Sequence, residues 1–210
     1  MELVSWVIDL ILHLDAHLVE LLRDYGLWVY AILFLIVFAE TGFVVTPFLP
    51  GDSLLFAAGA LAAVDTTGTL SAPLVSLVLV VAAVSGNTTN YHIGKWIGPP
   101  AFSGKYRWLK VDYLKRTEAF FVKHGSMTIV LSRFAPIIRT CAPFVAGVAR
   151  MPYLRFQTYN VIGGLAWVLS LTWAGYFFGN IPIIKENFGV VTIGIIVVSL
   201  LPLAWVALRK

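Results

Sequence analysis

Apolar residues along this chain fall into runs of two lengths. Two stretches, roughly 157–178 and 189–208, reach the ~20 residues that a helix needs to cross a hydrocarbon core of ~30 Å. A third, roughly 73–93, qualifies provided Asn87 and Asn90 face protein. Other runs are too short. From Leu27 to Ala39 the chain is apolar over a length of only about 20 Å as a helix, at about 1.5 Å per residue. Then come Glu40, Thr41-Gly42, Thr46-Pro47 and Pro50-Gly51, all breakers or caps, before a second short apolar arm from Ser53 to Val64. Two half-length arms around a Pro/Gly tip predict a re-entrant hairpin over 27–64, which is tolerated at membrane depth only where protein or a wet cavity satisfies its backbone.

The device recurs. Residues 126–149 hold short apolar arms around Arg133, Pro136, Arg139 and Pro143. TPFLPG at 46–51 aligns with APFVAG at 142–147, sharing Pro, Phe and Gly in register, which predicts matching tips. Tyr25-Gly26 precedes the first hairpin as His124-Gly125 precedes the second. The expected organisation is one membrane domain over 1–210. Repeat 1 spans 1–94, a basic amphipathic segment spans 95–125, and repeat 2 spans 126–178 with its hairpin at 126–149. A last spanning helix covers 189–208. At the start, Ser5, Asp9, His13, His17 and Glu20 form one polar stripe over 3–22, the mark of an interfacial or bundle-edge helix. His13 and His17 have metal-ligand spacing but no third ligand in view.

Composition agrees with this all-α membrane reading. The 210 residues are 59% hydrophobic and only 12% charged, with mean hydropathy +0.86, values outside the soluble range. Glu2 and Asp9, with no leading basic residue or small-residue cleavage site, argue against a removable signal peptide. One cysteine, Cys141, forms no disulfide within the chain, and no Cys/His metal framework or cofactor is expected. The net charge of +4 does not point to nucleic acid, because Lys95, Lys105, Arg107, Lys110, Lys115, Arg116 and Lys123 cluster between membrane segments. With Tyr106, Trp108, Tyr113, Phe120 and Phe121 interleaved, this segment reads as a helix lying on anionic phospholipid. It should be cytoplasmic, as should Arg150, Arg155 and the C-terminal Arg209-Lys210. Following the chain from there, the two hairpins enter from opposite leaflets, the inverted-repeat arrangement of secondary transporters.

Four ionisable residues then sit in the hairpins: Glu40 and Asp52 in one, Arg133 and Arg139 in the other. Asp or Arg at the centre of a membrane helix costs roughly 2.5–3.5 kcal/mol, so four unpaired charges cost on the order of 10 kcal/mol. If the tips meet, acids of one repeat face arginines of the other. Two guanidinium forks suit phosphate oxygens, and exposed N–H groups where half-helices begin, at Thr46-Pro47 and Gly51-Asp52-Ser53, favour an anion too. Low dielectric favours the neutral form of an acid, which makes Glu40 or Asp52 a candidate proton carrier. Plainer readings stand beside these. Asp52 after Pro50-Gly51 suits a cap on a helix starting at Ser53, Arg133 suits a shallow loop from which it snorkels, and Glu40 suits a purely structural ion pair. Asn87 and Asn90, with Gly86, Gly94 and Gly98, read chiefly as a close helix-packing face, and Asn160 with Gly163, Gly164 and Trp167 reads likewise.

These residues carry a family likeness. F-x-E-T-G at 38–42, P-x-x-P-G-D-S-L-L-F-x-A-G at 47–59, N-Y-x-I-G-x-x-x-G at 90–98, H-G at 124–125, R-F-x-P-x-x-R-T-x-x-P-x-x-A-G at 133–147 and N-x-x-G-x-x-x-W at 160–167 cover nearly the whole chain. In them the sequence resembles the bacterial DedA family of membrane proteins, relatives of eukaryotic lipid scramblases in the same superfamily. The resemblance implies a role in undecaprenyl-phosphate recycling across the inner membrane, dependence on the proton-motive force, envelope integrity and antimicrobial-peptide resistance. It matches Glu40 and Asp52 to the family's essential acids and Arg133 and Arg139 to its essential arginines. Many relatives carry Asp where this chain has Asn87, so a charge-dependent role there is absent or moved.

The expectation is thus a transporter, not an enzyme, of an anionic lipid such as a polyprenyl phosphate. Arg133 and Arg139 hold the phosphate, and Glu40 and Asp52 couple protons or gate. Thr46, Pro47, Pro50, Gly51, Pro136, Pro143, Asn87, Asn90 and Asn160 support the site, and a homo-oligomer is left open. A proton or ion exchanger, a general phospholipid scramblase and a membrane lipid phosphatase are the rivals; the last lacks a nucleophile with a base beside it, since His13, His17, His92 and His124 lie near segment ends.

Overall fold

The computed structural model describes residues 26–43, 51–65, 68–103, 111–178 and 181, and among them the chain is helical with no strand. Six helices carry the architecture: α1 (Trp28–Gly42), α2 (Gly51–Val64), α3 (Ala72–Ile97), α4 (Val111–His124), α5 (Pro136–Val148) and α6 (Tyr153–Phe178). The single turns Gly125–Met127, Thr128–Leu131 and Ser132–Phe134 join α4 to α5. Among the described residues only α3 and α6, of 26 residues each, are long and apolar enough to cross a membrane. The apolar runs read at 73–93 and 157–178 lie within these two helices, each of which extends about four residues further at one end. The expected helices at 3–22 and 189–208, and the tip residues Thr46, Pro47 and Pro50, lie outside the described residues.

Contacts fix how the short pieces run. Val84 and Thr88 of α3 meet Asn160 and Gln157 of α6, so the two long helices are antiparallel. Tyr30 bonds to Thr69 and Ser71 just before α3, while Gly42 lies against Gly86 at its middle. Thus α1 runs parallel to the first half of α3. Asn90 bonds to the Thr140 carbonyl, and Gly94 and Gly147 pack against Phe144 and Tyr91, so α5 runs parallel to the second half of the same helix. Along α6 the order is exchanged. The turns around Ile129 and Arg133 lie against Gly163 and Gly164, and α2 follows them, with Asp52 at Trp167 and Gly59 at Thr172. Each long helix is therefore flanked by two short pieces laid end to end, one from each half of the chain. Both chain reversals, between Gly42 and Gly51 and around Ala135, fall level with the middles of α3 and α6.

Three sequence expectations differ from the structure. Pro143 and APFVAG at 142–147 do not form a tip: Pro143 lies inside α5. The reversal comes earlier, where Ala135 is extended (φ −127°, ψ 101°) and Pro136 opens the helix. A proline at the first helical position lacks an N–H that would be orphaned there anyway, so Pro136 is the better start signal. Asp52 also does not precede its helix, which begins at Gly51. Gly98 does not pack either; it ends α3 at φ +66°, a conformation that glycine adopts without strain.

The packing is of the close, small-residue kind. A Cβ on Gly59 would overlap the Thr172 carbonyl and one on Gly175 the Phe56 carbonyl, joining α2 to α6; Gly94 and Gly147 stand likewise against Phe144 and Tyr91, joining α3 to α5. Outward, the long helices are apolar, with Leu77 and Val81 of α3 and Ile162, Leu165 and Leu169 of α6 exposed. Polar side chains on these faces fold back onto their own helix. Ser85, Thr89 and Thr158 donate to the carbonyls of Val81, Ser85 and Leu154, which leaves little to offer a solvent. α4 differs in burying only Leu114 and Thr117, with Leu114 packed near Phe144, Val145 and Val148 of α5; the basic amphipathic helix expected within 95–125 is present there.

Gly59→Ala and Gly94→Ala are expected to destabilise the protein by about 1–3 kcal/mol each, the usual cost of overpacking. Gly42→Ala, whose Cβ would meet Gly86 at an ordinary 3.5 Å, is expected to be nearly neutral. Unfolding in mixed detergent micelles distinguishes the three, and equal losses would count against this packing scheme.

Candidate functional site

The end-to-end arrangement brings helix termini together between α3 and α6. The last turn of α1 carries Glu40 and Thr41, α2 begins with Gly51-Asp52, and α5 begins with Pro136 and presents Arg139. Arg133 precedes that start on the single turn Ser132–Phe134. All four charges identified in the sequence are thus gathered at one level. Glu40 and Arg133 are 0% and 1% exposed.

Arg139 joins the two halves of the chain. One terminal nitrogen donates to Glu40 Oε1 at 2.6 Å and the other to Asp52 Oδ1 at 2.6 Å. Two oppositely charged partners on one planar fork, nearly out of water, form a strong charge-assisted pair. Gly51 has to be a glycine here, because a Cβ would overlap the Glu40 carboxylate. Asn90 ties the same junction from α3, its amide donating to the Thr41 carbonyl at 3.3 Å and the Thr140 carbonyl at 2.8 Å. A side chain read as helix packing is therefore also a staple between α1 and α5. Pro143 has no N–H to offer the Arg139 carbonyl four residues back, so it loosens the backbone of the helix that carries Arg139.

Arg133 is held differently. Its Nη2 donates to the Ala83 carbonyl at 3.2 Å and to Asn160 Oδ1 at 2.8 Å, so no shallow, snorkelling placement applies. Nε and Nη1 find no acceptor among the described residues. Asn87 donates to the same Asn160 oxygen at 3.1 Å. Asn160 donates in turn to Val84 O and Gln157 Oε1, at 3.0 and 3.1 Å, and Gln157 to Thr88 Oγ1 at 3.1 Å. This amide chain fixes one terminal nitrogen of the guanidinium and leaves Nε and Nη1 without acceptors among the described residues. A buried cation with spare N–H groups favours an anion beside it.

Three participants went unnoticed in the sequence. Thr88 and Gln157 extend the amide chain. Trp167, read as packing, donates its indole N–H to Asp52 Oδ1 at 2.8 Å and lies under both guanidiniums, 4.9 Å from Arg139 and 5.6 Å from Arg133. A signal existed. Trp in membrane helices gathers at the interfaces, whereas Trp167 sits mid-run, two turns from Asn160 on the same face, where its N–H requires a buried partner. A cavity of about 600 Å³ opens elsewhere, where α3 and α5 end and α6 begins, lined by Phe102, Phe121, Val145 and Met151; none of the four charges reaches it.

Arg139→Ala leaves Glu40 buried without its partner and is expected to cost about 3–5 kcal/mol. Adding Glu40→Gln should return much of that loss, because a neutral amide needs no counter-ion. Unfolding of the two variants in detergent checks the coupling, and strictly additive losses would contradict it.

The VTT domain family matches residues 49–177. Protein DedA of Escherichia coli (strain K12) is 54% identical over 203 residues, covering 96% of this chain and 92% of that protein. An uncharacterized membrane protein of Mycobacterium tuberculosis is 46% identical over 173 residues, 80% of this chain and 74% of its own. Inner membrane protein YqjA of E. coli is 38% identical over 155 residues, 73% and 69% respectively. No solved structure matches the chain. With the helical architecture, the two long apolar helices and a match across most of its length, the chain belongs to the DedA family of VTT-domain membrane proteins.

Proposed function

We propose that this protein is a multi-pass carrier of an anionic lipid phosphate in the bacterial inner membrane, most naturally a polyprenyl phosphate such as undecaprenyl phosphate, and that its movement is coupled to protons. In this reading α1 with α2, and the turns 125–134 with α5, are two re-entrant hairpins. The chain reversals level with the middles of α3 and α6 support it. So does their direction: α1 enters alongside the start of α3, the second hairpin alongside the start of α6, and those helices are antiparallel. Apart from Arg133 and Arg139, every described Lys and Arg (Lys95, Lys115, Arg116, Lys123, Arg150, Arg155) lies at or beside the end where α3 and α5 finish and α6 begins. That end is accordingly cytoplasmic, as the C-terminus would be after one more span. A relative named as an inner membrane protein supports the compartment.

The observation that carries the proposal is the unequal state of the two arginines. Arg139 is paired with Glu40 and Asp52 and has only Nε unmatched, while Arg133, also buried, has no ion-pair partner among the described residues and keeps Nε and Nη1 without acceptors there. A phosphate would engage Arg133 first and then compete with the carboxylates for Arg139. The starts of α2 and α5 add N–H groups and the positive ends of two helix dipoles. Protonation of an acid would weaken its hold on Arg139, which links proton uptake to opening of the site. The apolar tail would pass between helices into lipid.

Headgroup flipping in liposomes made with the full chain tests this, comparing labelled polyprenyl phosphate, phosphatidylethanolamine and phosphatidylglycerol under imposed pH gradients. Polyprenyl phosphate should move fastest, respond to the gradient, and slow by at least about tenfold in Arg133→Ala and Glu40→Gln, roughly the loss of one charged hydrogen bond. Indifference to the gradient removes the coupling. Equal rates for all three lipids would favour a general scramblase, and release of inorganic phosphate would make the protein a phosphatase.

A further inference from the structure

Asp52 and Glu40 share one guanidinium but are not held alike. Glu40 sits on a helix end stapled by Asn90, with its side chain fully buried. The Asp52 side chain retains 14% exposure and reaches Arg139 from the opposite half of the chain. Its Oδ1 accepts a second hydrogen bond, from the Trp167 indole. The same ring is the surface against which both arginines rest. It is 1% exposed and belongs to α6, a helix that carries neither acid nor arginine of the site.

We infer that Trp167 is the positioning residue of this site: its N–H latches Asp52 onto Arg139, and its face keeps the two guanidiniums side by side. The physical case has two parts. Two like charges in low dielectric repel, and an electron-rich ring beneath both offsets part of that without neutralising either, as a carboxylate would. The ring takes up no hydrogen-bond donor of either guanidinium. The indole N–H, meanwhile, is a neutral donor to the acid that has to release Arg139. It strengthens the resting pair by one hydrogen bond and does not bind the guanidinium itself. Opening then requires Asp52 to leave Trp167 and Arg139 together, so that the latch sets how readily the site opens. Glu40, with no such donor from α6, stays with Arg139 on the stapled side.

The latch concerns the resting geometry, and only its consequence for transport rests on the lipid-carrier reading, so two measurements keep these separate. The first is labelling of the intact protein in liposomes with a hydrophobic carbodiimide, which reacts with protonated carboxyl groups, read at residue 52 by peptide mass spectrometry. Trp167→Phe keeps a ring under the arginines and removes the N–H, and Asp52 should label roughly tenfold faster than in wild type, while Glu40 is unchanged. Trp167→Leu removes the ring too, and Glu40 should then label faster as well, because Arg139 loses its seat. Elution and melting in detergent identify any variant that has lost its fold, and the Phe variant alone suffices for the conclusion. Unchanged labelling of Asp52 in Trp167→Phe overturns the latch whatever the protein transports. The second is polyprenyl phosphate flipping as a function of pH. Trp167→Phe should displace the profile along the pH axis. A uniform loss of rate without displacement would reduce Trp167 to a packing residue. Absence of flipping in wild type, with the labelling difference intact, would fault the carrier reading and leave the latch standing.

Discussion

Arg139 gripping Glu40 and Asp52 at once is the interaction on which the rest of the structure depends. The two acids come from either side of one chain reversal and the arginine from just beyond the other, so their pairing is also the joint between the halves of the molecule. An unpaired charge at membrane depth costs roughly 2.5–3.5 kcal/mol, and a pair broken from one side leaves the other charge stranded. Those penalties hold the two reversals together where hydrophobic attraction cannot, because lipid competes on equal terms for apolar surface.

Around that joint the backbone has to solve a second problem. The helix ends that meet there leave N–H and C=O groups unpaired within their helices at buried positions, where they need other partners. Asn90 takes the carbonyl of Thr41 in the last turn of α1, and Asp52 lies in the first turn of α2. The glycine contacts between α2 and α6, and between α3 and α5, bring these groups within reach. The same side chains that satisfy the backbone therefore also shape the polar site.

That double duty explains the asymmetry of the arginines. Arg139 stands where both acids converge and is neutralised. Arg133 stands one reversal earlier, against α3 and α6, where amides restrain it without cancelling its charge. The two arginines and two acids balance as a set, but both acids stand on Arg139 and none on Arg133, which leaves one buried cation without a counter-ion beside it among the described residues.

Much of this was legible in the sequence, for definite reasons. Run lengths separate the two helices long and apolar enough to cross a membrane from the shorter ones, and the cost of buried charge requires that Glu40, Asp52, Arg133 and Arg139 find one another or water. Motif likeness indicated the family. The sequence did not determine which acid meets which arginine, that Asn90 staples two helix ends, that Pro136 and not Pro143 marks the second reversal, or that Trp167 lies beneath both guanidiniums. Those facts depend on register between segments dozens of residues apart. A one-dimensional pattern states that a charge needs a partner, but only the packing of glycine faces against carbonyls decides which partner comes within 3 Å.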